Sequence, residues 1–466
     1  MFRRLTESLR RIGGVSLLAV RASLRTRVFA AMLALLAVCV LALPGAVKGD
    51  GTPAGELYIL LAYTLGFAFG ILCLATLWSA CALFAAEIDS ARMQLSSVKP
   101  VRASEFWLGK WLALLLLNAV LLLAVYAGVY AQVQWKMRAN GWDAAERPSS
   151  RRVARPILPT PKEEARQAYA QMLAQKALPE GVSEKTALRV LESKAREKYD
   201  VISPGAQAGW RFRLARPVGV GEAVTVRMKF DTEYSTREQV KGVCRLRCLQ
   251  APEQMVEIPL DDFTLNEIEF AVDTRAFLGE GPAGGPRRTA AGPKGLRDFE
   301  LTFHHTGDPK RASALMLRFR QDVVLLTSGG AFEGNLLRSA CVHWGVLALL
   351  AAFGLSLSAC FSLPVAAFAA TVLLALTMVG NSVVRVVSEE DEKDWRNRIG
   401  IWVSRGVSEA TSHAMQAEPL TALTRGERID LGVLGASVAW NVLLVPLLLA
   451  GAGCWVLRRR ELADAD

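Results

Sequence analysis

A chain of 466 residues that is 52% hydrophobic, with a mean hydropathy of +0.25, is too apolar for an ordinary soluble enzyme. Its 21% of charged residues are too many for a protein lying wholly in a bilayer, so the charge must be concentrated outside the apolar stretches. The net charge of +11 is read mostly as a signal of membrane orientation, although the long region at 133–338 is also basic, and it argues against a nucleic-acid partner.

The chain begins with a basic segment carrying Arg3, Arg4, Arg10, Arg11, Arg21, Arg25 and Arg27. Within it, Val15–Phe29 alternates apolar residues with arginine at helical spacing, which predicts an amphipathic helix in contact with membrane lipid headgroups. A long basic stretch without a small-residue cleavage site argues against a secretory signal. Six apolar runs then reach the length of about 20 residues needed to cross a bilayer. They are Val28–Val47, Leu57–Ala85, Trp111–Gln132, Cys341–Cys360, Val365–Val383 and Leu431–Leu457, and they predict an α-helical polytopic membrane protein.

Between the second and third runs lies Glu87–Lys110, EIDSARMQLSSVKPVRASEFWLGK. A charged segment held between two spans cannot stay in hydrocarbon without a large cost, so it must sit at a membrane face, within reach of a soluble partner. The N-terminal arginines, and Arg458, Arg459 and Arg460 after the last run, predict that both termini are cytoplasmic. With six crossings, Glu87–Lys110 is then cytoplasmic and residues 133–338 are extracytoplasmic, as expected of an inner-membrane protein. This divides the chain into a membrane half at 1–132, an external domain at 133–338 and a second membrane half at 339–466.

The external region changes character along its length. Arg147–Pro161 is rich in Arg, Pro and Ser and reads as a linker. Lys162–Ala177 and Ser183–Tyr199 have helix-forming composition, a stalk over about 162–200. Period-two patterning then predicts strands at Trp210–Leu214, Ala223–Phe230, Val243–Leu249, Met255–Leu260, Glu267–Val272, Asp298–Phe303 and Ala314–Leu326, a β-sandwich over about 208–327. The Gly/Pro-rich stretch Gly279–Gly295 reads as a loop. Arginine pairs at 211/213, 245/247 and 318/320 each share one strand face. They form either a solvated outer face or a cationic surface for an anionic glycan, a lipid headgroup or an envelope protein. Glu389–Arg428 is charged and amphipathic, an external segment (about 385–430) between the last two spans.

Candidate chemistry is sparse. Six of the eight cysteines fall in or beside apolar runs. Cys244 and Cys248 share a strand, about 13 Å apart and too far for a disulfide. The four histidines, His304, His305, His343 and His413, form no ligand spacing, and no nucleophile elbow or nucleotide phosphate loop is present. No metal or cofactor is therefore expected in this chain. Tyr63, Trp78, Asn118, Asn381 and Asn441 are polar or aromatic positions within spans that read as helix-joining or interfacial residues.

The order of residues in Glu87–Lys110 resembles a known family. An acidic Glu87 ends the second span, Met93–Val98 follows as a short helix, then Lys99-Pro100-Val101-Arg102, Phe106-Trp107 and Gly109-Lys110 lead into the next span. This is similar to the permease subunits of type-2, exporter-like ABC transporters, as are the basic amphipathic N-terminal segment, the turn Ser356–Pro364 and the closing Arg458–Leu462. Ala91 departs from that pattern, where many members carry Gly. The resemblance covers the membrane part alone. It implies a coupling loop, with Glu87, Arg92, Lys99, Pro100, Arg102, Glu105, Gly109 and Lys110 facing a cytoplasmic ATPase subunit. It also implies pairing with a second permease copy or a paralogue, with ATP and Mg bound by the ATPase and not by this chain. The competing expectation is a membrane-anchored protein whose external β-domain binds a ligand or envelope partner.

Overall fold

The computed structural model describes residues 2–25, 27–47, 52–89, 102–143, 147–158, 160–175, 184–277, 295–308, 312–318, 321–386 and 418–459. The chain forms two compact units, one from Met1–Ser150 with Ala331–Asp466, the other from Arg151–Gly330.

In the first unit, helix α1 (Phe2–Arg25) is followed by α2 (Arg27–Ala46). A continuous helical stretch then comprises α3 (Pro53–Tyr58), a π-helical turn at Ile59–Thr64 and α4 (Leu65–Asp89). Next comes α5 (Ala103–Ala139); after the second unit, α8 (Phe332–Cys360), α9 (Leu363–Val386), α10 (Pro419–Thr424), α11 (Leu431–Val438), a second π-helical turn at Ala439–Leu444 and α12 (Val445–Arg459) complete it. Five stretches among the described residues are long and apolar enough to cross a membrane: Arg27–Ala46, Pro53–Leu83, Ala103–Ala139, Phe332–Cys360 and Leu431–Val456. The sixth expected span falls on α9, whose described apolar part, Leu363–Ala375, is shorter than a span.

The N-terminal helix differs from its sequence boundaries. It covers Phe2–Arg25 instead of Val15–Phe29, because Val28 and Phe29 belong to the apolar helix α2. Helices α5 and α8 also overrun their apolar runs, so the β-rich unit is narrower at both ends than residues 133–338. At its far end α5 closes with Gly141 at φ +63° and the Trp142 N–H donating to the Met137 carbonyl, the bond that satisfies a helix C-terminus. Where α4 and α8 cross, Gly354 permits close approach: a Cβ there would lie 2.7 Å from Ala80 Cβ and 2.9 Å from the Leu77 carbonyl.

The second unit is a β-sandwich with a helical pair. Helices α6 (Pro161–Ala174) and α7 (Glu184–Asp200) correspond to the expected stalk, and neither contributes to the sandwich core. One sheet has strand order β1-β11-β5-β8, from Ser150–Ala154, Val323–Gly330, Ala223–Lys229 and Glu267–Asp273. The other has order β2-β4-β9-β6-β7, from Pro156–Leu158, Gln207–Val218, Leu296–His305, Gln239–Cys248 and Ala251–Phe263. A small pair joins β3 (Val201–Ile202) to β10 (Leu315–Met316). Between the two main sheets pack Trp210, Phe212, Val224, Val226, Met228, Leu246, Phe299, Leu301 and Phe303, so alternation puts the apolar set of both sheets into one core. Cys244 and Cys248 are free thiols in that core, and burial pushes Cys244 up to about 12. The expected linker supplies β1 and β2, while the expected strand Ala314–Leu326 is broken by a turn in which Arg318 pairs with Asp322.

Antiparallel register settles what the paired arginines do. Arg211 and Arg213 on β4 lie opposite Glu300 and Asp298 on β9, at 3.0 and 2.7 Å. On β6, Arg247 pairs with Glu300 and Arg245 with Glu257 on β7, the latter at 2.7 Å. Successive strands thus carry alternating sign, and these four arginines are matched across the sheet; Arg320 lies outside the described residues. Burial disfavours the charge on Glu300, yet Arg247 and Arg211 outweigh it and hold the carboxyl below its usual range. A depressed carboxyl contributes stability above its unfolded value of about 4.3 and loses it as pH falls through the folded value. Glu300→Gln is therefore expected to cost about 1 kcal/mol at neutral pH, a figure kept small by the half-exposed arginines. Thermal melts of the two proteins should converge below about pH 4.

Candidate functional site

The residues expected to meet a partner fall into two sets. Arg92, Lys99 and Pro100 lie outside the described residues, as does the expected Met93–Val98 helix; Glu87 lies in the last turns of α4, with its side chain outside the described set. Arg102, Glu105, Gly109 and Lys110 are described, and they do different things. Arg102 is exposed at the position preceding α5. The other three are buried within the first unit.

Glu105 occupies the first turn of α5, where four backbone N–H groups lack helical acceptors and a carboxylate is favoured. Its Oε2 accepts from the Arg102 N–H at 3.1 Å. Its Oε1 accepts from Ser8 Oγ at 2.6 Å, and Arg11 Nη1 stands 3.8 Å from Oε2. One turn along, Gly109 lies beneath α1: a Cβ there would sit 2.7 Å from Val15 Cβ and Cγ1, and 3.1 Å from the Ile12 carbonyl. Ser8, Arg11, Ile12 and Val15 are spaced i, i+3, i+4, i+7, so one face of α1 meets the start of α5.

On another face, Lys110 is 1% exposed and donates to the Leu83 carbonyl of α4 at 2.6 Å, with its ammonium 4.6 Å from the Phe106 ring centroid. The charged segment is therefore anchored where it re-enters the bundle. Glu105 and Gly109 tie that end to α1, and Lys110 ties it back to α4.

Deeper in the bundle is a cluster that sequence reading passed over. The Tyr126 hydroxyl of α5 lies 2.8 Å from Ser339 Oγ and 2.6 Å from His343 Nδ1, both on α8. Phe69 of α4 stacks on the imidazole with ring centroids 3.8 Å apart. All three polar residues are buried. The available signal was spacing: Asn335, Ser339 and His343 recur every four residues on one face of α8, with Asn335 bonded to the backbone of Glu427 and Ile429. Of the polar span residues, Asn118 accepts from Thr76, Trp78 donates to Thr371 and Asn441 donates to Ser437. Tyr63 is exposed against Tyr58, and the Asn381 side chain lies outside the described set.

At the other end of α5, a cavity of about 670 Å³ is lined by Gln134, Trp142 and Phe332 with Arg138, Asp143, Arg147 and Glu333, a mixture of both signs of charge. Among the described residues no group of three His, Cys, Asp or Glu could hold a metal ion. No family model matches the chain, and no curated protein or solved structure matches it.

Two contrasts test this geometry. Gly109→Ala must push α1 off α5 and should cost about 1–3 kcal/mol in detergent thermal melts. Gly13→Ala or Gly14→Ala, on open faces of α1, should be neutral or stabilising by up to about 1 kcal/mol. For the buried cluster, Tyr126→Phe and His343→Leu should each destabilise, and their double-mutant cycle should show a coupling of about 0.6–1.7 kcal/mol. A coupling near zero would mean that the two side chains are neighbours without a shared bond.

Proposed function

We propose that this chain is the permease subunit of a type-2, exporter-like ABC transporter. It moves an unidentified substrate by alternating access, paired with a second copy or a paralogue. A separate cytoplasmic ATPase subunit, which holds the ATP and Mg, powers it. The observation that carries the reading is the double anchorage of Glu87–Lys110, through Glu105 and Gly109 to α1 and through Lys110 to α4. A charged loop that needed only to join two spans would gain nothing from a buried lysine and a buried carboxylate at its end. An element that receives a push from a partner needs both, because a force on the loop must reach several helices together.

In this reading Glu87, Arg92, Lys99 and Arg102 set the register of docking by charge, and Pro100 stiffens the turn. Glu105, Gly109 and Lys110 hold the receiving end from inside. The β-sandwich is the external domain, available to an envelope protein or a glycan. The competing reading, a membrane anchor for that domain, assigns the anchored loop no task.

The test is purification of the tagged full-length chain from its native membranes in mild detergent. A polypeptide with a nucleotide phosphate loop, and its ATPase activity, should co-purify. Arg102→Glu should reduce the co-purifying ATPase per chain by about tenfold or more, with only a small drop in the melting temperature from the lost favourable charge beside Glu105. An eluate without any phosphate-loop protein, or one undiminished by Arg102→Glu, would contradict the proposal.

A further inference from the structure

Helix α1 presents three distinct arcs when its residues are placed at roughly 100° intervals. One arc, with Ser8, Arg11, Ile12 and Val15, is spent on α5. A second carries Leu9, Leu17 and Leu24, each more than half exposed at 60%, 51% and 53%. Directly beside it runs a third arc of Arg10, Arg21 and Arg25, all exposed and without an acidic partner among the described residues. Leu18, also exposed, falls beyond the basic arc. Arg10 and Arg25 lie fifteen residues apart, about four turns, so the basic edge extends roughly 22 Å along the helix.

Exposed leucines alone would suit any apolar environment. The combination with an adjacent unpaired arginine edge is more restrictive, because leucines enter the acyl boundary only while the arginines remain level with the headgroups. We infer that α1 is a docking surface for the anionic phospholipids of the leaflet, and that lipid charge sets how deeply it lies. Since α1 is gripped by α5 at Glu105 and Gly109, the depth of α1 is mechanically tied to the start of α5. Lipid composition thereby acts on the same end of Glu87–Lys110 that the loop uses for anchorage. The inference rests on the arcs of α1 and stands apart from the identity of any ATPase.

Each arginine near an anionic surface contributes roughly fivefold to the equilibrium, so three together contribute on the order of 100-fold. The test places a polarity-sensitive fluorophore at Leu17→Cys of the full chain, with the exposed Cys360 replaced by serine, in liposomes. In vesicles of phosphatidylcholine with about 30% phosphatidylglycerol, emission should shift to the blue relative to phosphatidylcholine alone. About 0.5 M salt should reverse the shift. Arg10→Gln/Arg21→Gln/Arg25→Gln should abolish it, whereas the corresponding triple lysine variant should retain it. Identical emission in the two lipid mixtures, a shift that survives the glutamine variant, loss of the shift in the lysine variant, or an equal shift produced by soluble glycerol phosphate would each overturn the inference.

Discussion

Hydrocarbon offers a polar side chain no hydrogen-bond partner, so donors within apolar helices have to be met by another part of the protein. The first unit meets this demand repeatedly in one way, by aiming a side chain of one helix at a backbone carbonyl of its neighbour. Lys110 reaches Leu83, Trp111 reaches Ala348, Trp344 reaches Leu115, Gln132 reaches Val40 and Ser356 reaches Leu449. Helix α5 takes part in four of these five bonds, two of which tie it to α8. It also carries Tyr126, whose hydroxyl meets Ser339 and His343. These bonds are directional, which apolar packing between lipid-like side chains is not, and they fix the relative register of the helices.

The same logic explains what could be read from residues alone. Run length betrays spans because the backbone must satisfy itself over the whole hydrocarbon thickness, and alternation betrays strands that have one buried face. Both are local properties, and five helices long and apolar enough to cross a membrane and the two-sheet sandwich were legible through them. Pairings between distant residues were not. Arg211 and Arg213 read as either a solvated face or a cationic surface until register places Glu300 and Asp298 opposite them. Glu105 reads as one more loop charge until Ser8 and Arg11 arrive from almost a hundred residues away. Likewise, β1 and β2 hide in an Arg/Pro/Ser-rich stretch because they are short strands added to sheets built from later sequence. His343 at the start of an apolar run has no visible partner within 200 residues, since Tyr126 belongs to the other half of the membrane unit.

The candidate site was therefore half legible. Its position followed from the charge of Glu87–Lys110 between two apolar runs, but the division of labour within it did not. Gly109 and Lys110 look like part of a recognition motif, yet one makes room for Val15 and the other bonds the Leu83 carbonyl. Arg102, by contrast, is exposed beside them, at the junction between the anchored end and the rest of the segment. The buried residues that hold the loop are thus distinct from the exposed Arg102, a distinction the motif by itself cannot make.

That distinction is most directly tested by a photoreactive amino acid at position 102 of the full chain in its native membranes. Irradiation is expected to join position 102 covalently to a protein carrying a nucleotide phosphate loop, while the same residue at position 234, an exposed site in the β-sandwich unit, gives no such adduct. Adducts from position 102 confined to lipid, or to proteins without a nucleotide site, would contradict the account.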